Sequence, residues 1–118
     1  EQGDMDDAYR GVREWFATAG HDAADGLYCW NDESAIGAVR ALADLGLRVP
    51  DDVAVIGSDG VRETAFTTPT LSTMAQPFTA ACELAWDYLR TRMEQPDLPL
   101  RQTVLPMELV VRASTTRV

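Results

Sequence analysis

Between Gly26 and Gly57 the chain spells out a strand, a helix and a second strand with almost nothing between them. Gly26-Leu27-Tyr28-Cys29-Trp30 is an apolar run too short for a helix and aromatic enough for a strand. Glu33 to Leu45 places Ile36, Val39, Leu42, Ala43 and Leu45 on one helical face, and Gly46 ends it. After the turn Val49-Pro50-Asp51-Asp52 comes Val53-Ala54-Val55-Ile56-Gly57, an unbroken apolar run of the kind buried on both faces of a parallel sheet. Connections this short make the segment a right-handed βαβ unit, because a crossover between neighbouring parallel strands has that hand almost without exception. The fold class is therefore α/β.

The flanks extend this core. Asp6 to Ala19 sets Ala8, Tyr9, Val12, Trp15, Phe16 and Ala19 at amphipathic helical spacing, stopped by Gly20. Residues 58–70 lack periodicity and read as a loop, and Leu71–Met74 as a short strand. Phe78 to Glu94 is the longest helix, with Phe78, Ala81, Cys82, Ala85, Trp86, Leu89 and Met93 on one face, broken by Gln95-Pro96-Asp97-Leu98-Pro99. Thr103–Leu105 and Glu108–Arg112 read as two short strands split by Pro106.

Charge removes several functions. Residues 1–60 carry thirteen acidic side chains against four arginines, whereas residues 61–118 carry six of each, for a net charge of −9. Such a surface repels phosphate backbones, so this polypeptide by itself is a poor nucleic-acid binder. All ten basic residues are arginine, which excludes a P-loop lysine, a Schiff-base lysine and a Ser-Lys nucleophile pair. No apolar stretch approaches the roughly 18 residues that span a bilayer. Cys29 and Cys82 lie far apart in apolar settings with only His21 to join them, and read as two buried free thiols in a reducing compartment.

In open α/β sheets ligands bind beyond the carboxyl ends of the strands. Two polar clusters stand there, Asn31-Asp32 and Ser58-Asp59-Gly60, and consecutive parallel strands bring them to the same rim. Asp32 is expected to cap the helix that follows, which leaves Asn31 to face a ligand. Trp30 is expected in the core rather than stacked on a ligand. Ile56-Gly57-Ser58-Asp59-Gly60 lacks the first glycine of a nucleophile elbow, and His21 is the only base. A phosphoacceptor Asp wants a lysine and a second acidic pair. A carboxylate metal site needs more hard oxygen ligands than Asp32 and Asp59. No catalytic residue, metal or cofactor is assigned. Recognition of a small polar molecule remains, with Asn offering donors and an acceptor and Asp accepting from neighbouring hydroxyls.

These residues also look familiar. Trp30–Leu42, Gly46–Gly57, Pro69–Met74, Gln76-Pro77-Phe78 and Leu105–Thr115 resemble, in order and spacing, the effector domain of the lactose/galactose repressor family of bacterial transcription regulators. That family has an N-terminal helix-turn-helix that binds an operator and a two-lobed, periplasmic-binding-protein-like core. Effector binding between its lobes shifts operator affinity; the effectors are mostly sugars, sugar phosphates, nucleosides or purines. The resemblance covers only the C-terminal third or so of such a protein. It implies a distal lobe over 1–72, a crossover and proximal-lobe helix over 73–99, and a return to the distal lobe over 100–118. The helix-turn-helix is absent from this chain.

Carried over by position, the resemblance gives Asn31 and Asp59 as effector-binding residues, Gln76 and Phe78 as cleft residues at the crossover, and Met5 near a position commonly filled by a ligand-stacking aromatic. Ser58 stands where a Phe or Tyr is usual and Gly60 where a second Asp is common. The implied function is sensing of a sugar- or nucleoside-class effector by a cytoplasmic repressor without catalysis, operator DNA being reached only through the missing N-terminal domain. A secreted sugar-binding protein of a transport system shares the fold and is the alternative; an enzyme using Asp59 is the third. A homodimer is expected, partly through Arg62–Thr68. The long helix exposes Cys82, Ala85, Trp86 and Leu89 without sheet partners, so the fragment is expected to self-associate or swap domains.

Overall fold

A computed structural model of the protein describes residues 4–117. The chain divides into two compact units, residues 1–75 with 109–118, and Gln76–Glu108.

The first unit holds the βαβ core. Helix α1 runs Met5–Ala19, with Asp4 as N-cap accepting from the Asp7 N–H at 2.8 Å. Strand β1 is Gly26–Tyr28, helix α2 Asp32–Asp44 and strand β2 Ala54–Asp59. A short 3-10 turn, Arg62–Ala65, precedes strand β3 at Ser72–Ala75. The sheet order is β1-β2-β3-β4, with β4 at Glu108–Val110. Both β1 with β2 and β2 with β3 are parallel, in the register Leu27 to Val55 and Gly57 to Thr73.

The core gathers where α1 packs on α2 and α2 packs on β2: Phe16, Ala35, Val39, Leu42, Val53, Val55 and Leu71 are buried together. Small residues on α2 (Ala35, Gly37, Ala38 and Ala41, all buried) let α1 approach closely. Burial of β2 on both faces is not what the structure has. Val53 and Val55 are fully buried, but Ala54 and Ile56, pointing the other way, are only half-buried. Tyr28, the register partner of Ile56, is 67% exposed.

The C-terminal segment locks onto the sheet through side-chain hydroxyls. Ser114 Oγ, completely buried, donates to the Val55 carbonyl at 2.6 Å and accepts the Ser72 N–H at 2.8 Å. The Arg112 N–H donates to Ser72 Oγ at 2.7 Å, and its guanidinium donates to the Leu71 carbonyl at 2.7 Å and to Thr64 Oγ1 at 2.9 Å.

The second unit is built on α3, Phe78–Glu94, and none of its residues is buried. Phe78, Cys82, Trp86, Leu89 and Met93 are all exposed, so the apolar stripe read from the sequence is an open one. Arg92 reaches across the turn after α3 to the Pro96 and Leu98 carbonyls at 2.7 and 2.6 Å. Arg101 lies over the Tyr88 ring, 3.9 Å from its centroid.

Other local expectations fail as well, Cys29 being only half-buried. Cys82 is exposed rather than buried, because the face that carries it has no partner among the described residues. Trp30 is 82% exposed: β1 ends at Tyr28, so Trp30 leaves the sheet with the turn. Thr103–Leu105 is not a strand, and only Glu108–Val110 joins the sheet. The loop after β2 is less irregular than expected, since it contains the 3-10 turn. Among the described residues no helix is long and apolar enough to cross a membrane.

Candidate functional site

The carboxyl ends of β1 and β2 lie side by side because the strands are parallel neighbours. Asp59 is the last residue of β2, and Asn31 follows β1 after two intervening residues. The two line one cavity of about 300 Å³ with Met5, Glu33, Ile36, Val61 and Glu63. Three elements build it: the first residue of α1, the first turns of α2, and the loop leaving β2.

The roles expected of Asn31 and Asp32 are exchanged. Asn31 is the N-cap of α2: its backbone is extended, with φ −144° and ψ 172°, and its Oδ1 accepts the Ser34 N–H at 2.7 Å. It does so while lining the cavity, so capping and facing the cavity are not alternatives. Asp32 is the first residue inside the helix, where its side chain no longer reaches back to the free amides of the first turn. Instead it is buried, 1% exposed, and its Oδ2 accepts the N–H groups of Gly60 and Val61 at 2.7 and 2.8 Å.

The amides so bonded belong to a strained turn. Asp59 has φ +121°, the only non-glycine residue with positive φ among the described residues, and Gly60 follows at φ +82°. Outside glycine such a conformation costs on the order of 1–3 kcal/mol, and it persists where the surroundings over-determine it. Here they do. The Gly60 N–H is held by Asp32 and lies 3.2 Å from Thr73 Oγ1. A Cβ on Gly60 would stand 2.6 Å from that of Ala75, so a second Asp at this position has no room.

The charged residues lining the cavity are Glu33, Asp59 and Glu63, with no arginine among them. Carboxylates accept hydrogen bonds and repel anions, so this wall suits hydroxyls or amines over phosphates. Met5 and Ile36 add apolar surface of the sort a sugar ring packs on. Among the described residues no group of three or more His, Cys, Asp or Glu side chains is placed to hold a metal ion.

Of the five residues assigned from the sequence, Met5, Asn31 and Asp59 share this cavity. Gln76 and Phe78 belong to the second unit, and their part in a site rests on the family resemblance. Sequence reasoning passed over Glu33, Ile36, Val61 and Glu63, which helix and loop geometry bring in. It also passed over the hydrogen bonds that Asp32 accepts from the loop after β2. The two glycines bracketing Asp59 carried a signal for them: a Cβ on Gly57 would lie 2.2 Å from Asp32 Oδ1.

Comparison with known proteins gives the family. Residues 2–115 match the family model of the periplasmic binding protein-like domain. The chain is 33% identical over 116 residues, 98% of its length, to the probable HTH-type transcriptional repressor ExuR of Bacillus subtilis (strain 168), of which it covers 34%. It is 40% identical over 88 residues, 75% of its length, to the ribose operon repressor of Escherichia coli (strain K12), of which it covers 27%. A LacI family transcriptional regulator from Arthrobacter sp. FB24, crystallised in complex with lactose, superposes with a TM-score of 0.86. The match to that structure is 33% identical and covers 96% of this chain and 42% of the other. The chain thus spans about a quarter to a third of the length of the curated relatives it matches.

Proposed function

The chain belongs to the periplasmic binding protein-like domain family, among the lactose/galactose-type repressors, and from that premise we propose that it is the effector-sensing part of a bacterial transcription regulator. The observation that carries the reading is the convergence of Asn31 and Asp59, from the ends of two neighbouring parallel strands, on one cavity. Ligand is held there by hydrogen bonds and not transformed. Asp59 accepts from hydroxyls, each charge-assisted bond contributing about 1.5–3 kcal/mol. Met5 and Ile36 pack on the ligand's apolar face. The carboxylate-lined wall favours an uncharged, polyhydroxylated effector, a sugar by class, over a phosphorylated one.

In the longer protein, effector binding biases the arrangement of two lobes and so the affinity of a separate DNA-binding domain, a coupling on the order of 1–3 kcal/mol. Such a protein works in the cytoplasm, and as a homodimer its recognition surface is doubled. The named relatives are repressors, which favours this reading over a binding protein of a transport system.

A thermal-shift screen of sugars and nucleosides against the full-length protein tests the proposal, because binding raises apparent stability by mass action. A sugar is expected to raise Tm, and Asn31→Ala and Asp59→Ala are each expected to remove that shift. A shift that survives both substitutions places the ligand elsewhere.

A further inference from the structure

We propose that Asp32 is a positioning residue for this site: its buried carboxylate holds Asp59 in the left-handed backbone conformation and thereby sets where the Asp59 side chain stands. The consequence for ligand rests on the function proposed above; the geometry does not.

A carboxylate is an expensive group to bury, so its presence at 1% exposure asks for a reason. Helix capping is not the reason, since Asn31 already caps α2. An acid in the first turn gains from the helix dipole, but an exposed one gains likewise, as Glu33 beside it can. What distinguishes Asp32 is its reach. One oxygen accepts two consecutive backbone N–H groups, 28 and 29 residues away, immediately after Asp59. Two amides pinned to one carboxylate oxygen constrain the peptide that leaves Asp59, the residue whose φ is +121°.

The surroundings are shaped to this carboxylate. Gly57, on the strand that ends in Asp59, leaves open the space its Oδ1 occupies. That oxygen is buried with no hydrogen-bond partner among the described residues. An unsatisfied buried oxygen marks a position kept at a cost to stability. Asp32 also directly follows Asn31, so a single dipeptide supplies one cavity-lining residue and the clamp on the other.

Amide exchange and backbone couplings of the unliganded chain, read by 15N NMR, test this without any ligand. In Asp32→Ala the Gly60 and Val61 amides are expected to lose at least about tenfold more protection than Val55 and Leu42. The three-bond HN–Hα coupling and Cα shift of Asp59 are expected to leave left-handed values. Asp32→Asn, which keeps an oxygen acceptor without the charge, is expected to retain the Asp59 signature with intermediate protection at Gly60 and Val61. The proposal is overturned if the Asp59 signature is unchanged in Asp32→Ala, or if core and loop amides lose protection equally. If Asp32→Ala does not fold, Asp32→Asn decides: intermediate protection confined to Gly60 and Val61 supports the clamp, and wild-type protection sinks it. Either result leaves the sugar screen to stand or fall separately.

Discussion

The carbonyl oxygen of Met5 occupies the space that a side chain on Gly37 would need: a Cβ there would lie 2.2 Å from it. α1 therefore starts in direct contact with the middle of α2, and the contact is backbone on one side and a missing side chain on the other. Gly37→Ala has to push α1 away. Overpacking against backbone costs about 1–3 kcal/mol, and helix propensity returns no more than about 1 of it. Urea denaturation is expected to show a lowered midpoint at an unchanged slope. Because Met5 lines the cavity, sugar affinity is expected to fall with it.

At Asp59 the proposed ligand contact and backbone strain are expected to pull in opposite directions. A glycine there would adopt φ +121° without strain, so Asp59→Gly is expected to raise unfolding stability by about 1 kcal/mol while removing ligand binding. Paired denaturation and thermal-shift measurements check both halves; a loss of stability would mean that the Asp59 side chain contributes more to the fold than its backbone costs.

Acid sensitivity is expected at the turn before β2. Asp52 accepts the Arg48 guanidinium at 2.8 and 3.0 Å and the Arg48 backbone N–H at 2.8 Å. The Arg48 side chain, then its backbone N–H, hold the carboxyl down to about 2 from an ordinary 3.8. A folded-state pKa below the unfolded one stabilises above the unfolded value, and the contribution disappears as pH falls from about 3.8 through about 2. Asp52→Asn is expected to flatten the pH dependence of stability within that window and leave it unaltered above pH 5.

The two cysteines are expected to differ in reactivity. Burial pushes the Cys29 thiol up to about 11, so little of it is thiolate near neutral pH. Cys82 lies exposed on α3. Iodoacetamide at pH 8, followed by peptide mass spectrometry, is expected to label Cys82 first; equal rates would mean that β1 opens readily.

The elements themselves were legible from periodicity. α3 appears at the residues read for it, and α1 and α2 within one residue at either end. Strand-end logic likewise brought Asn31 and Asp59 together. What the pattern could not carry was distance along the chain. Asp32 bonds to residues nearly thirty positions away, and local capping statistics, which weigh only the first turn, assign it the role its neighbour performs. Trp30 shows the same limit: hydrophobicity places it in a core, but the strand it follows stops two residues earlier. Thr103–Leu105 has strand composition but pairs with no strand among the described residues, and composition cannot supply the neighbour.

The hydroxyl of Ser114 carries a consequence for how the protein is made. Synthesis runs from the N-terminus, so β2 and β3 leave the ribosome with the Val55 carbonyl and the Ser72 amide still waiting for a group encoded 59 and 42 residues downstream. During that interval the nascent sheet is unpinned and its third strand is open to any extended chain nearby. A pause in translation between Ser72 and Ser114 is expected to prolong that interval.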